Sequence, residues 1–375
     1  MKKILILVFG FFSFLTTLVK GQDSDLIAPI LEFAKRQPED IAIIGLNINR
    51  DDTVSTTLSW NAQQPMPLAS SRKIVVLAAY AHAISGKILE PNMPVQLSEW
   101  EAYHLPGLDG GAHRNSLNAL KIPSDQHGRA KDQSATLPLD TLARFMIETS
   151  DNAATDLILT RLGPDAIPQT IQRLGLSGQE DFGPLCGVAS AWFDSSSNTK
   201  YQNLALQTRV ADSWKRAEEI RNNPALRDPN TILEASRVLR LSKQKMLANT
   251  TDSHGTVQDY ANLMVRVMAG KGLSPTELEI MRRHLSWPFR VNPSNHDVYE
   301  NLYAKGGSLL GVLTDNLGIN PKVGPYVGQR QVVSLFLRNI PENQYNQLAQ
   351  SQQHGMMRLA YKPDQTARLM AVLKP

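Results

Sequence analysis

The sequence predicts a mixed α/β (α+β) fold: an antiparallel sheet flanked by helices, an all-helical lobe, and enlarged helical insertions in that lobe. Three observations lead there. Segments with strand-like patterning occur near both ends of the chain, the residues between them follow helical periodicity, and two connecting stretches are long for a compact lobe. Strands from opposite ends of one chain must meet to form a sheet, which leaves the middle as a helical lobe set upon it.

The chain opens "MKKILILVFGFFSFLTTLVKGQ", two lysines followed by an apolar run from Ile4 to Val19 and then small residues. The run is short for a span of about 20 apolar residues, so we expect an export signal over residues 1–21, cut after Gly21. No cysteine follows the cut directly, which argues against a lipid anchor and for a periplasmic or secreted product without a stable membrane attachment. "SDLIAPILEFAKRQPED" predicts a first helix capped by Ser24. Two strands joined by a turn at Arg50 to Asp52 come next, then an apolar helix within "PMPLASSRKIVVLAAYAHAISG".

Residues 97–137 are rich in glycine and proline and predict a long loop or lid with short helices. Asp140 is expected to cap "TLARFMIETS", and "NAATDLILTRLG" continues as a second helix ending near Gly163, leaving "SDN" at the break. Residues 195–250 are polar and mostly helical in pattern, with "RVADSWKRAEEIRNNP" and "TILEASRVLRLSKQKML", and "TVQDYANLMVRVMAGKG" is strongly amphipathic. "NLYAKGGSLLGVLTDNLGI" and "RQVVSLFLRNI" add two more strands before a terminal helical segment broken at Pro363. Together these define a single domain over 22–375, with a sheet lobe at about 22–75 and 285–375, a helical lobe at about 76–284, and an insertion at about 195–250.

The net charge is +4, and loss of Lys2, Lys3 and Lys20 with the signal leaves +1. A near-neutral chain with no basic run among aromatics excludes nucleic acid as a partner, and we expect a monomer. The single cysteine, Cys186, rules out an intramolecular disulfide and is read as a small buried hydrophobe. The eight histidines lack ligand spacing and no glycine-rich phosphate loop follows a strand, so neither metal nor cofactor is expected.

Three short motifs carry chemistry. In "SSRK", Ser70 and Lys73 share one helix face one turn apart, so the lysine can take the proton that a serine must lose to become a nucleophile. If Ser70 opens the helix, its N–H is free to stabilise an oxyanion, and Lys73 would need a lowered pKa. S-x-x-K recurs at Ser197/Lys200 and Ser242/Lys245, but only Lys73 lies in an apolar helix, where a buried charge needs a reason. In "ETSDNAAT", Ser150, Asp151 and Asn152 sit at a helix break, where a plain cap would look alike. In "YAKGGSL", Lys305 enters a strand with Gly306 and Gly307 behind it, open to close approach by a ligand or to a simple bulge.

S-x-x-K, S-D-N and K-x-G in that chain order, with the lead-in "PLASSRK", resemble the class A β-lactamase-like family of penicillin-recognising serine enzymes. The resemblance implies a β-lactamase-like fold and an acyl-enzyme on Ser70. It implies Lys73 as proton relay, Ser150 as proton donor to the leaving group, and Asn152 on the substrate's side-chain carbonyl. Lys305 is then the carboxylate contact, and the N–H groups of Ser70 and Ser308, beside Gly307, form the oxyanion hole. Tyr103, His104 and Trp192 are expected at the mouth of the site.

The chain also departs from that family. A loop glutamate that activates the deacylating water is expected about 35 residues after the S-D-N serine. Here "GQEDFGPLCGVAS" places Leu185 and Cys186 near that position, with Glu180 and Asp181 the nearest acids and His113 a substitute base to consider. Gly306 stands where a threonine or serine is usual. The leading expectation is therefore an exported serine acyl-hydrolase acting on a small-molecule β-lactam or related ester or amide. The alternatives are a D,D-peptidase acting on cell-wall peptides, and a β-lactam sink acylated once without turnover.

Overall fold

A computed structural model describes residues 25–194 and 198–374. The expected signal peptide, the Ser24 cap and Ser197 of the second S-x-x-K pair lie outside the described residues. Two compact units divide the chain. One comprises Lys73–Arg173 and Asp181–Thr251, and the other comprises residues 25–72, Leu174–Glu180 and 252–374.

The second unit is built on five antiparallel strands, β1 (Ile41–Ile48), β2 (Val54–Trp60), β3 (Tyr299–Leu309), β4 (Val312–Pro321) and β5 (Arg330–Leu337), in spatial order β2-β1-β5-β4-β3. The near-continuous apolar runs of β1 and β5 reflect burial on both faces. On one face Phe336 meets Tyr260 of the helix Val257–Ala269 edge to face, with ring centroids 5.5 Å apart. Asp315, one residue on from Phe336's cross-strand partner Thr314, points to the opposite face, where Gln353 of the helix Glu342–Tyr361 bonds it. The segment Leu174–Glu180 belongs to this unit because Gly178 N–H donates to Asp259, Tyr260 OH donates to Gln179, and Glu180 N–H donates to the His254 carbonyl.

The first unit is helical. Its centre is Lys73–Ser85, buried on nearly every side, against which Leu139–Glu148 and Asn152–Leu162 pack. Among the described residues no helix is long and apolar enough to cross a membrane.

Several local expectations are corrected. The first helix runs Ala28–Arg36 with Ile27, not a polar side chain, at its cap position. Asp140 does not cap its helix but lies in the first turn of Leu139–Glu148, accepting from Tyr80 OH at 3.2 Å. The free N–H groups there are taken instead by the carbonyls of Met93 and Pro91, a tertiary solution invisible locally. The helical pattern of "TILEASRVLRLSKQKML" is realised as two helices, Pro229–Val238 and Leu241–Thr250, separated by an extended Leu239. The strand-rich stretch from residue 299 holds two strands, not one, since Gly311 at φ +78° allows a tight reversal inside an unbroken apolar run. Lys305 consequently sits in the middle of β3 rather than at its entrance.

Candidate active site

Ser70 lies in a one-turn 3₁₀ segment, Ala69–Arg72, and the α-helix opens at Lys73, three residues later than a serine-initiated helix would. From Met66 to Ala81 every residue is buried except Ser70, which is half-buried. Ala69 before it holds a left-handed backbone at φ +47°, which costs an L-residue roughly 1–2 kcal/mol. Both polar groups of Ala69 are held by buried ions. Its N–H donates to Asp252 Oδ2 at 2.7 Å, its carbonyl accepts from Arg72 Nε at 2.9 Å, and Arg72 and Asp252 pair with each other. Hydrogen bonds to charged groups contribute about 1.5–3 kcal/mol each, enough to outweigh the backbone strain.

The same turn is fixed against β4. Ser71 Oγ and Thr314 Oγ1 lie 2.8 Å apart, Thr314 donates to the Leu68 carbonyl at 2.9 Å, and Asn316 Nδ2 donates to Ser71 Oγ at 2.9 Å. β3 passes so close that a Cβ on Gly307 would stand 2.4 Å from Ser70 N and 2.8 Å from Ser71 N. No side chain fits there, which is the physical content of the second glycine in K-x-G. Gly306 pairs across to Asp315, and a Cβ on it would press within 3.2 Å of Asp315 Oδ1 and of the Thr314 carbonyl. Gly306 thus lies beside a buried carboxylate on the neighbouring strand.

Lys305 is buried and donates to the Gly306 carbonyl at 2.7 Å. Burial drives its ammonium down to about 7 although the Asp315 charge pulls the other way. Asp315 is pushed up to about 7 by the same burial, against the Asn316 N–H and Lys305. Ser308 follows Gly307 on β3 and is half-buried.

In the helical unit Lys73 has no solvent exposure, and its Nζ donates to the Ser150 carbonyl at 2.6 Å, Asn152 Oδ1 at 2.7 Å and Ser150 Oγ at 3.2 Å. Ser150 is itself left-handed at φ +63°. Between these two half-buried residues, Asp151 is buried and caps the helix Asn152–Leu162 through the Ala154 N–H at 2.8 Å. Its other oxygen faces His113 Nδ1 at 2.9 Å, while His113 Nε2 faces Glu101 at 3.3 Å and the ring meets Trp100 edge-on. Burial alone would depress His113, but Asp151 and Glu101 outweigh it and hold the ring up at about 10. Burial likewise opposes ionisation of Asp151, yet His113 and the Ala154 N–H bring it down to about 2. Both ring nitrogens of His113 thus face buried carboxylates, which favour its charged form.

Of the other expected residues, Tyr103 is buried and lines a cavity of 230 Å³ with Leu157, Thr160, Arg161 and Arg221. His104 is buried, stacked on His113 at 4.3 Å, and pushed down to about 4 by burial and by the His113 charge. Trp192 is half-buried on Leu185–Phe193. Cys186 is a buried free thiol. In the segment where the resemblance led us to expect a loop glutamate, the N–H groups of Leu185 and Cys186 donate to Asp156 at 2.6 and 2.7 Å, and burial raises Asp156 to about 6 despite them. Glu180, the nearest glutamate, accepts from His254 N–H at 2.8 Å. Ser242 is exposed at the start of Leu241–Thr250. Sequence reasoning missed Arg72, Asp252 and Thr314; the only local signal was an arginine inside the S-x-x-K quartet at the head of an apolar run.

The sheet, its helices and the helical unit define the α+β architecture of β-lactamase-like proteins. The chain belongs to the beta-lactamase enzyme family, whose sequence model matches residues 26–315. That is a family of serine hydrolase-type enzymes. Among solved structures, the chromosome-encoded β-lactamase of Vibrio parahaemolyticus aligns at 12% identity over 90% of this chain and 99% of its own, with a TM-score of 0.53. A β-lactamase from Sphaerobacter thermophilus aligns at 16% identity over 94% and 96%, with a TM-score of 0.50. One from Chitinophaga pinensis aligns at 12% identity over 88% and 97%, also at 0.50. These likenesses establish the fold. No curated protein sequence matches the chain.

Proposed function

We propose that the protein is an exported serine acyl-hydrolase of class A type that forms an acyl-enzyme on Ser70 with a carboxylate-bearing β-lactam, or with a related ester or amide. The observation that carries this reading is the placement of Lys73, a fully buried amine bonded to both Ser150 and Asn152 and lying one turn beyond the only unburied residue of its segment. Ser70 Oγ attacks the acyl carbon and its proton passes to Lys73 in its neutral amine form; Ser150 hands a proton to the departing nitrogen or oxygen. The N–H groups of Ser70 and Ser308 hold the oxyanion, Asn152 orients the substrate's amide, and Lys305 receives its carboxylate.

A second reading, a protein that is acylated and releases its adduct slowly, is favoured by one observation. The Leu185–Cys186 segment offers no carboxylate and is tied to Asp156, while Glu180 is engaged by His254. The two readings separate by counting product per protein with a chromogenic cephalosporin and with an activated acyl ester. Many turnovers that fall about 100-fold or more in Lys73→Met support the hydrolase. A burst of one equivalent supports slow release, and turnover unchanged in Lys73→Met contradicts the role given to that lysine.

A further inference from the structure

We infer that the buried Arg72–Asp252 pair is a positioning device for the nucleophile, holding Ala69 left-handed so that the following residue, Ser70, is presented in its reactive geometry. The inference rests on the acyl-enzyme reading above and adds two residues to it. Asp252 lies 180 residues from Arg72 in the chain, yet the pair grips one peptide unit from both sides: Asp252 accepts the Ala69 N–H at 2.7 Å, and Arg72 Nε donates to the Ala69 carbonyl at 2.9 Å. Both side chains are at most 3% exposed, so solvent screening is slight. An arginine suits this task better than a lysine because its planar fork serves the carbonyl through Nε and the carboxylate through NH2 together. Thr314 and Asn316 hold the neighbouring Leu68 and Ser71, but the grip on Ala69 itself comes from the ion pair.

A device that enforces a strained backbone becomes dispensable once the strain is removed. Glycine adopts φ +47° without the Cβ penalty, so Ala69→Gly should rescue loss of the clamp, which a general packing role for the pair would not permit. Arg72→Lys keeps the charge but removes the fork, and Arg72→Met with Asp252→Asn removes both charges without leaving one buried alone. Each is expected to slow acylation by the chromogenic cephalosporin about 100-fold, with the initial non-covalent binding constant unchanged, and addition of Ala69→Gly should restore most of the rate. Wild-type acylation rates in both variants overturn the inference, as does a slow, folded variant that Ala69→Gly leaves slow. If the wild-type protein itself takes no acyl group, the acyl-enzyme reading falls. The clamp is then judged by amide hydrogen exchange over residues 68–71, which must quicken in Arg72→Lys and is overturned by unchanged protection.

Discussion

Asp151 shows how a single side chain serves two ends. One oxygen caps a helix and the other neutralises a buried histidinium, so the residue between Ser150 and Asn152 cannot move without breaking both. The sign of its linkage to pH follows from His113. A histidine raised from 6.5 to about 10 contributes stability that is complete below pH 6.5 and is lost as pH rises through 10. We predict that His113→Asn, which takes the buried cation from between Asp151 and Glu101, destabilises the protein by about 3–5 kcal/mol near neutrality. The gap from wild type should narrow steadily between pH 7 and 10 in urea unfolding, and a gap independent of pH would contradict the charge assigned to His113. None of this was legible in "SDN", where aspartate read as an ordinary cap: its partner lies 38 residues away, and a buried pairing leaves no local pattern.

At the level of elements, the site depends on a strand passing a turn at backbone distance. Gly307 is the point of approach, and its missing Cβ lets β3 lie against the turn that carries Ser70. Gly307→Ala should leave helical circular dichroism unchanged while lowering the acylation rate about 100-fold or more, the scale of losing one oxyanion donor. Near-normal acylation in that variant would show that the strand can retreat without consequence. This contact was half legible. The motif suggested close approach by a ligand or a simple bulge, and S-x-x-K spacing on one helical face was a purely local inference, but that the strand approaches the Ser70 turn required the fold. The strand count failed for the converse reason, since the Leu310–Gly311 reversal is flanked by apolar residues on both sides and has no polar turn signature.

Across the whole chain, helical periodicity between terminal strands was sufficient to predict an antiparallel sheet with a helical lobe, because periodicity and strand pairing dominate that choice. The assignment of Leu174–Glu180 to the sheet unit was not legible, as it rests on three hydrogen bonds to residues 74 to 81 positions away. Nor was the occupation of the Leu185–Cys186 N–H groups by Asp156, which lies about 30 residues earlier in the chain. The central claim is that one serine among many is acylated. Its most direct test is peptide mapping by mass spectrometry after brief exposure of residues 22–375 to the chromogenic cephalosporin, with Ser70→Ala in parallel. The account predicts one acyl group on the peptide carrying Ser70 and none on the Ser70→Ala protein. An adduct on Ser242 or Cys186, or one that survives Ser70→Ala, would contradict it.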